Sequence, residues 1–162
     1  MEAENTAKQP ENSNPHKNKV HKILAHAYLF YFVLFLIGLL MDSIFSFKIF
    51  KDSSFSWMGI ILLVLGTFLV LWAQNSSNKL QKENISVKTF YNGPYKYTRN
   101  PTYLGLFLLT LGFGIIADAF FLVFFSIIYF LVVKFIFIKK EENILTLKYG
   151  DPYLEYKKLV KF

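Results

Sequence analysis

The sequence predicts an all-α integral membrane protein with about four transmembrane helices and a C-terminal amphipathic helix on the cytoplasmic side. Three observations carry that expectation. Of the 162 residues 54% are hydrophobic and only 18% charged, where a soluble domain is nearer a quarter charged. The apolar residues fall in uninterrupted runs, and the cations gather between the runs on one side. Without Cys, the chain has no disulfides, thiolate nucleophiles or Cys-based zinc sites, and its three His offer little to other metals, so no metal is expected. A net charge of +7 suits nucleic acid or an anionic membrane surface; the long apolar runs decide for the membrane and against a nucleic-acid partner.

Residues 1–22 are polar and hold two Pro, and are expected to be a disordered cytoplasmic tail before a membrane domain at 23–162. The runs 23–41 and 55–74 contain 19 and 20 residues without a formal charge, the length that crosses about 30 Å of hydrocarbon as helix. The runs 102–117 and 119–138 are separated by Asp118 alone. As helix they extend about 55 Å, slightly less than two crossings. A tight hairpin follows, with Asp118 at the far interface and a third helix that starts inside protein. Fifteen Lys and Arg lie in the tail, in 75–101 and from Lys139 onward, against two in 42–54 and none beside Asp118. By the positive-inside rule both termini and the intervening polar segment are cytoplasmic.

Two polar segments look chemical. In GPYKYTRNPTYLG, residues 93–105, Gly93-Pro94 signals a turn, and Pro101 pushes Asn100 out of helical angles and makes it a natural N-cap. Tyr95, Tyr97, Tyr103 and Arg99 thus converge at the membrane surface, where they suit an anionic or aromatic ligand; the structural alternative is an interfacial belt with Arg99 on lipid phosphate. The second segment, 139–162, opens on Glu141 and Glu142, two acids set against the local positive bias and the helix dipole. Either they pair with Lys139, Lys140 or Arg99, or they receive a ligand. Gly150 ends this helix, and Asp151-Pro152 starts another as N-cap and first residue. Its Tyr153, Tyr156 and Val160 share one face that folds back over the loop, lying on the membrane.

These two segments, with the apolar hairpin between them, resemble the isoprenylcysteine carboxyl methyltransferase family, whose pattern reads GxYxxxRHPxYxG and then EExxLxxxFGxxYxxY. The likeness covers residues from about 87 to 160. It implies an S-adenosyl-L-methionine-dependent methyltransferase whose cofactor segments are 87–105 and 139–160. The acceptor would be lipid-borne, a prenylcysteine carboxylate, reached from the bilayer at the cytoplasmic face. It places the cofactor against Val87, Lys88, Thr89, Phe90, Tyr95, Asn100, Pro101, Thr102, Tyr103 and Glu141. Glu142 either joins them or pairs with Arg99 and ties the two segments together.

Two departures bear on the acceptor. Asn100 stands where the family has His, as in the similar phosphatidylethanolamine N-methyltransferases, which brings lipid amines into play. Phe137 stands where enzymes that methylate a prenylcysteine carboxylate carry Arg. Lys134, the one charge inside a span, lies seven residues before Glu141 and so on the same helical face. With Arg99 it is the candidate catalytic cation, as an anchor for a carboxylate; snorkelling to the interface is the alternative. An NADPH-dependent sterol-type reductase or a non-catalytic membrane subunit fits less of the pattern. Four spans leave such a pocket partly open to lipid, and a homodimer would close it. Gly105, Gly112 and Gly114 are read as points of close helix approach.

Overall fold

Backbone in lipid must satisfy its own hydrogen bonds, and the computed structural model is helical through every apolar run. It describes residues 15–50, 55–80 and 86–160. The long elements are α1 (Pro15–Phe45), α2 (Ser56–Leu80) and α4 (Pro101–Ile116). A last rod follows: α5 (Phe120–Val132), a π-helical turn (Val133–Phe137) and α6 (Ile138–Tyr149), with no break between them. The described residues also form short pieces: α3 (Val87–Phe90), a 3-10 turn (Gly93–Lys96) and α7 (Asp151–Leu159). Three segments are long and apolar enough to cross a membrane, Lys22–Phe45, Ser56–Ser77 and Phe120–Tyr149, with Pro101–Ile116 a shorter apolar helix. The protein is an all-α integral membrane protein, and large apolar side chains such as Leu40, Ile44, Trp57 and Phe68 cover its outside.

Three boundaries differ from expectation. The polar stretch from Pro15 to Lys22 continues α1 and is not a tail; the part before Pro15 lies outside the described residues. The fourth span does not stop at Ile138. Its helix runs on to Tyr149 and carries the Glu pair on the same rod, because the Lys and Glu residues after Ile138 are good helix formers and no breaker comes before Gly150. At Gly150 the backbone turns with φ 62° and ψ −136°, a region open to Gly. Gly150 itself is the N-cap of α7, and Asp151 is the first helical residue.

The helices α2 and α4 run antiparallel and meet along glycine. A Cβ on Gly112 would lie 2.6 Å from the Gly59 carbonyl oxygen, and one on Gly66 would lie 2.8 Å from that of Gly105. Both pairs are spaced by seven residues, two turns, so the seam stays on one face. Gly114 lies against Val123 across the hairpin, and Gly38 of α1 against Leu122. Ala27, Tyr103, Tyr129 and Val133 form the buried core between α1, α4 and the last rod.

The end of the bundle at the Asp118 turn is tied by two carboxylates that the sequence reading left without partners. Asp118 has φ 52°, which Asp tolerates, and its Oδ1 accepts the backbone N–H of Ile49 (2.8 Å) and Phe50 (3.0 Å). Asp42 reaches the start of α5, where Oδ1 and Oδ2 accept the N–H of Phe121 and Leu122, both at 2.9 Å. These are the amides that a helix start leaves unpaired. Asp42→Ala is expected to lose about 1–3 kcal/mol of stability, read as a lower thermal midpoint in detergent, with a smaller loss for Asp42→Asn.

Candidate functional site

The opposite end of the bundle gathers the start of α4, the end of α2, α3, the 3-10 turn, α6 and α7. Gly93 makes this possible. It sits at φ 55°, and a Cβ there would collide with Ser76 of α2. The turn is thereby pressed onto α2, and Pro94 is buried. The Tyr95 hydroxyl lies near the side chains of Thr102 and Ser77.

At the centre, Glu141 faces tyrosines. The Tyr103 hydroxyl donates to Glu141 Oε2 at 2.9 Å, and Tyr28 of α1 and Tyr95 lie within electrostatic reach of the same carboxylate. Burial, followed by the charge of Glu141, raises the pKa of Tyr95, so its phenol stays neutral and a donor. Glu142 points elsewhere. Its Oε1 is 3.1 Å from Arg99 Nη2 and its Oε2 is 2.6 Å from Lys157 Nζ. With side-chain exposures of 15% for Arg99 and 9% for Glu142, this is a largely buried pair. It joins the loop before α4 to α6 and, through Lys157, to α7. Glu142→Ala leaves Arg99 and Lys157 without their counter-ion and is expected to cost about 3–5 kcal/mol. Hydrogen exchange in α7 is the direct readout, since that helix loses its ionic tie.

Around the pair lies an aromatic cluster. Tyr153 and Tyr156 are buried on one face of α7 as expected, Val160 is buried beside them as its extended C-cap, and Val87, Phe90, Tyr95, Leu145 and Tyr149 pack against them. The Phe90 ring is edge-on to Tyr149 and Tyr153, with centroids at 5.0 and 5.5 Å, and parallel to Tyr156 at 5.7 Å. The Tyr156 hydroxyl donates to the Tyr95 carbonyl at 2.8 Å, so α7 closes directly over the 3-10 turn. Burial is the largest cause of a raised pKa in Tyr153 and Tyr156 too; Glu142 adds to it in Tyr153, and Tyr95 in Tyr156.

The expected site residues thus come together except at four places. Lys88 is exposed, and Thr89 uses its hydroxyl to accept the Ser86 N–H at 3.0 Å within α3. Asn100 occupies the N-cap position but makes no capping bond with its side chain, while Thr98 takes its N–H at 3.3 Å. Lys134 is the main correction. It is exposed, in the π-helical turn whose buried residue is Val133. A π turn holds an extra residue, so a spacing of seven across it no longer means one face, and Lys134 is not brought to Glu141. Phe137, at the position of the relatives' Arg, packs on the bundle core with its ring 6.1 Å from Phe30.

Lys157 and Tyr28 were not singled out in the sequence. The unbalanced Glu pair signalled a missing cation, but nothing ranked Lys157 above its five C-terminal neighbours. Tyr28 reads as one more aromatic in a span.

The fold and site together define a four-helix membrane bundle with a carboxylate–tyrosine site at one end, covered by α7. The family described as PEMT, phospholipid methyltransferase, matches residues 54–152, well over half of the chain. The chain belongs to the phospholipid methyltransferase family. The match covers the first polar segment, the hairpin and the second segment as far as Pro152, and it includes both seam helices. No curated protein and no solved structure matches the chain.

Proposed function

We propose that the protein is an S-adenosyl-L-methionine-dependent methyltransferase acting on the amine headgroup of a membrane lipid. The observation that carries this is the charge arrangement: Arg99 and Lys157 are both held by Glu142, Lys134 is exposed, and Glu141 stands among tyrosines with, among the described residues, only a hydroxyl on it. A site with a free carboxylate and neutral ring faces suits an onium group. It does not suit a carboxylate acceptor, whose charge would be repelled by Glu141.

The donor set fits the cofactor. Phe90 with Tyr149, Tyr153 and Tyr156 offers ring surfaces for an adenine, the Asn100 side chain is not used in capping, and Glu141 offers a carboxylate to a ribose or a cation. When bound, S-adenosylmethionine supplies a methyl group on a sulfonium, which leaves as a neutral thioether. The chain supplies orientation and dryness. The part of this chain would be to take the proton of an ammonium acceptor on the Glu141 oxygen that Tyr103 does not hold, leaving the nitrogen lone pair available to the methyl group, while the Tyr103 hydroxyl fixes Oε2 in place. By the charge distribution the site faces the cytoplasm, and lipid is the partner.

A second reading, methylation of a prenylcysteine carboxylate, is favoured by the resemblance of residues 93–105 and 141–156 to the isoprenylcysteine enzymes. One experiment separates the two. Purified protein is incubated with labelled S-adenosylmethionine and total membrane lipids. Stable label in a lipid headgroup is expected; label released by base as methanol overturns the amine reading in favour of the ester, and no cofactor binding overturns both.

A further inference from the structure

Two turns along α4 from Tyr103 lies a second polar place. Thr110 sits there, seven residues on and about 10 Å deeper, at the floor of a small hollow lined also by Tyr31, Phe35, Phe125, Ser126 and Tyr129. It holds four hydroxyls in a region otherwise made of hydrocarbon. Three are satisfied: those of Thr110 and Tyr31 share a hydrogen bond of 2.9 Å, Thr110 also lies 3.0 Å from the Leu106 carbonyl, and Ser126 donates to the Val123 carbonyl at 2.7 Å. The fourth is not. Tyr129 is 1% exposed and its hydroxyl has no hydrogen-bond partner among the described residues. A buried donor left unmade is costly in any solvent and more so in lipid.

Phe35 and Phe125, which line the hollow, are only partly buried, so it is not sealed from the lipid side. Its depth is also telling. In a diacyl phospholipid, roughly nine bonds separate the headgroup nitrogen from an ester carbonyl carbon, about 11 Å when extended. Tyr129 lies twelve residues before Glu141 on the same rod, about 18 Å by helical rise, so an extended lipid whose amine is hydrogen-bonded to Glu141 brings an ester carbonyl oxygen toward the Tyr129 hydroxyl.

We propose that this hollow is a subsite for the linkage region of the lipid acceptor, in which the Tyr129 hydroxyl donates to an ester carbonyl oxygen. The inference rests on the headgroup reading above for the position of the amine, yet it concerns binding, and binding is measured without turnover. The subsite selects lipids by how their chains are attached and not by headgroup.

The test compares dioleoyl phosphatidylethanolamine with its dialkyl ether analogue, which has no carbonyl, as ligands of the purified protein. The wild type is expected to bind the ester about five-fold more tightly, as one hydrogen bond allows. Tyr129→Phe keeps the ring in the core and removes the orphaned donor, so it should hold its thermal midpoint and bind both lipids alike. Equal affinity in the wild type overturns the proposal, with or without the variant. A preference that persists in Tyr129→Phe overturns it as well, as does a site that takes only water and recognises neither lipid. An ester preference in a protein that transfers no methyl to the headgroup supports the subsite and overturns the reading of the activity.

Discussion

Glu141→Ala is expected to weaken S-adenosylmethionine binding by about 100-fold while leaving the bundle folded, measured by titration calorimetry on purified protein. The fold should survive because the carboxylate is not a strut. Its one hydrogen bond among the described residues is from Tyr103, and that ring is held independently by the core of Ala27, Tyr129 and Val133. The ionic tie of the region belongs to Glu142. A carboxyl that is half-buried and yet outside the structural ion pairs is where ligand recognition is concentrated. Tyr103→Phe should reproduce a fraction of the loss, about ten-fold, since the carboxylate remains but loses its positioning donor. Unchanged affinity in Glu141→Ala removes Glu141 from the cofactor site.

The other large effect is expected far from the chemistry. Gly112→Leu puts a branched side chain where even a Cβ lies 2.6 Å from the Gly59 carbonyl and 2.7 Å from the Leu63 amide nitrogen. Both neighbours are backbone and cannot swing aside, so α2 and α4 must separate. Lipid offers no hydrophobic drive to hold them together, and close packing is what associates such helices. A destabilisation of about 3 kcal/mol or more is expected, read as loss of folded protein after detergent extraction. Leu65→Ala, on the exposed outer face of α2, is the control and should change little.

Much of this was legible in residue patterns. The apolar runs show where helices pass because their length is set by the bilayer, and the hairpin follows from a single acid between two of them. The Arg99–Glu142 link was legible as one of two alternatives, since an acid pair at a basic surface requires a cation. One half of the glycine seam was visible in Gly105 and Gly112, but its partners Gly59 and Gly66 acquire meaning only once α2 is known to face α4. What stayed hidden depends on long-range pairing. Asp42 and Asp118 each reach across some seventy to eighty residues to backbone amides, and amides carry no sequence signal. Lys134 misled for a local reason, because a regular helix was assumed through a turn that is not regular.

That π-helical turn has a wider meaning for how such a chain can change. It lies between the part of the last rod that packs in the bundle and the part that bears Glu141 and Glu142, and it sets the phase of one against the other. Because a π turn holds one residue more than regular helix, the loss of one residue there can be absorbed as the turn closes into α-helix, whereas the loss of a second would rotate the chemical half by about 100°, turning Glu141 from Tyr103 and Glu142 from Arg99. The turn is in this sense a reserve of length: one residue can be given up between the membrane and the site before the carboxylates are misaimed.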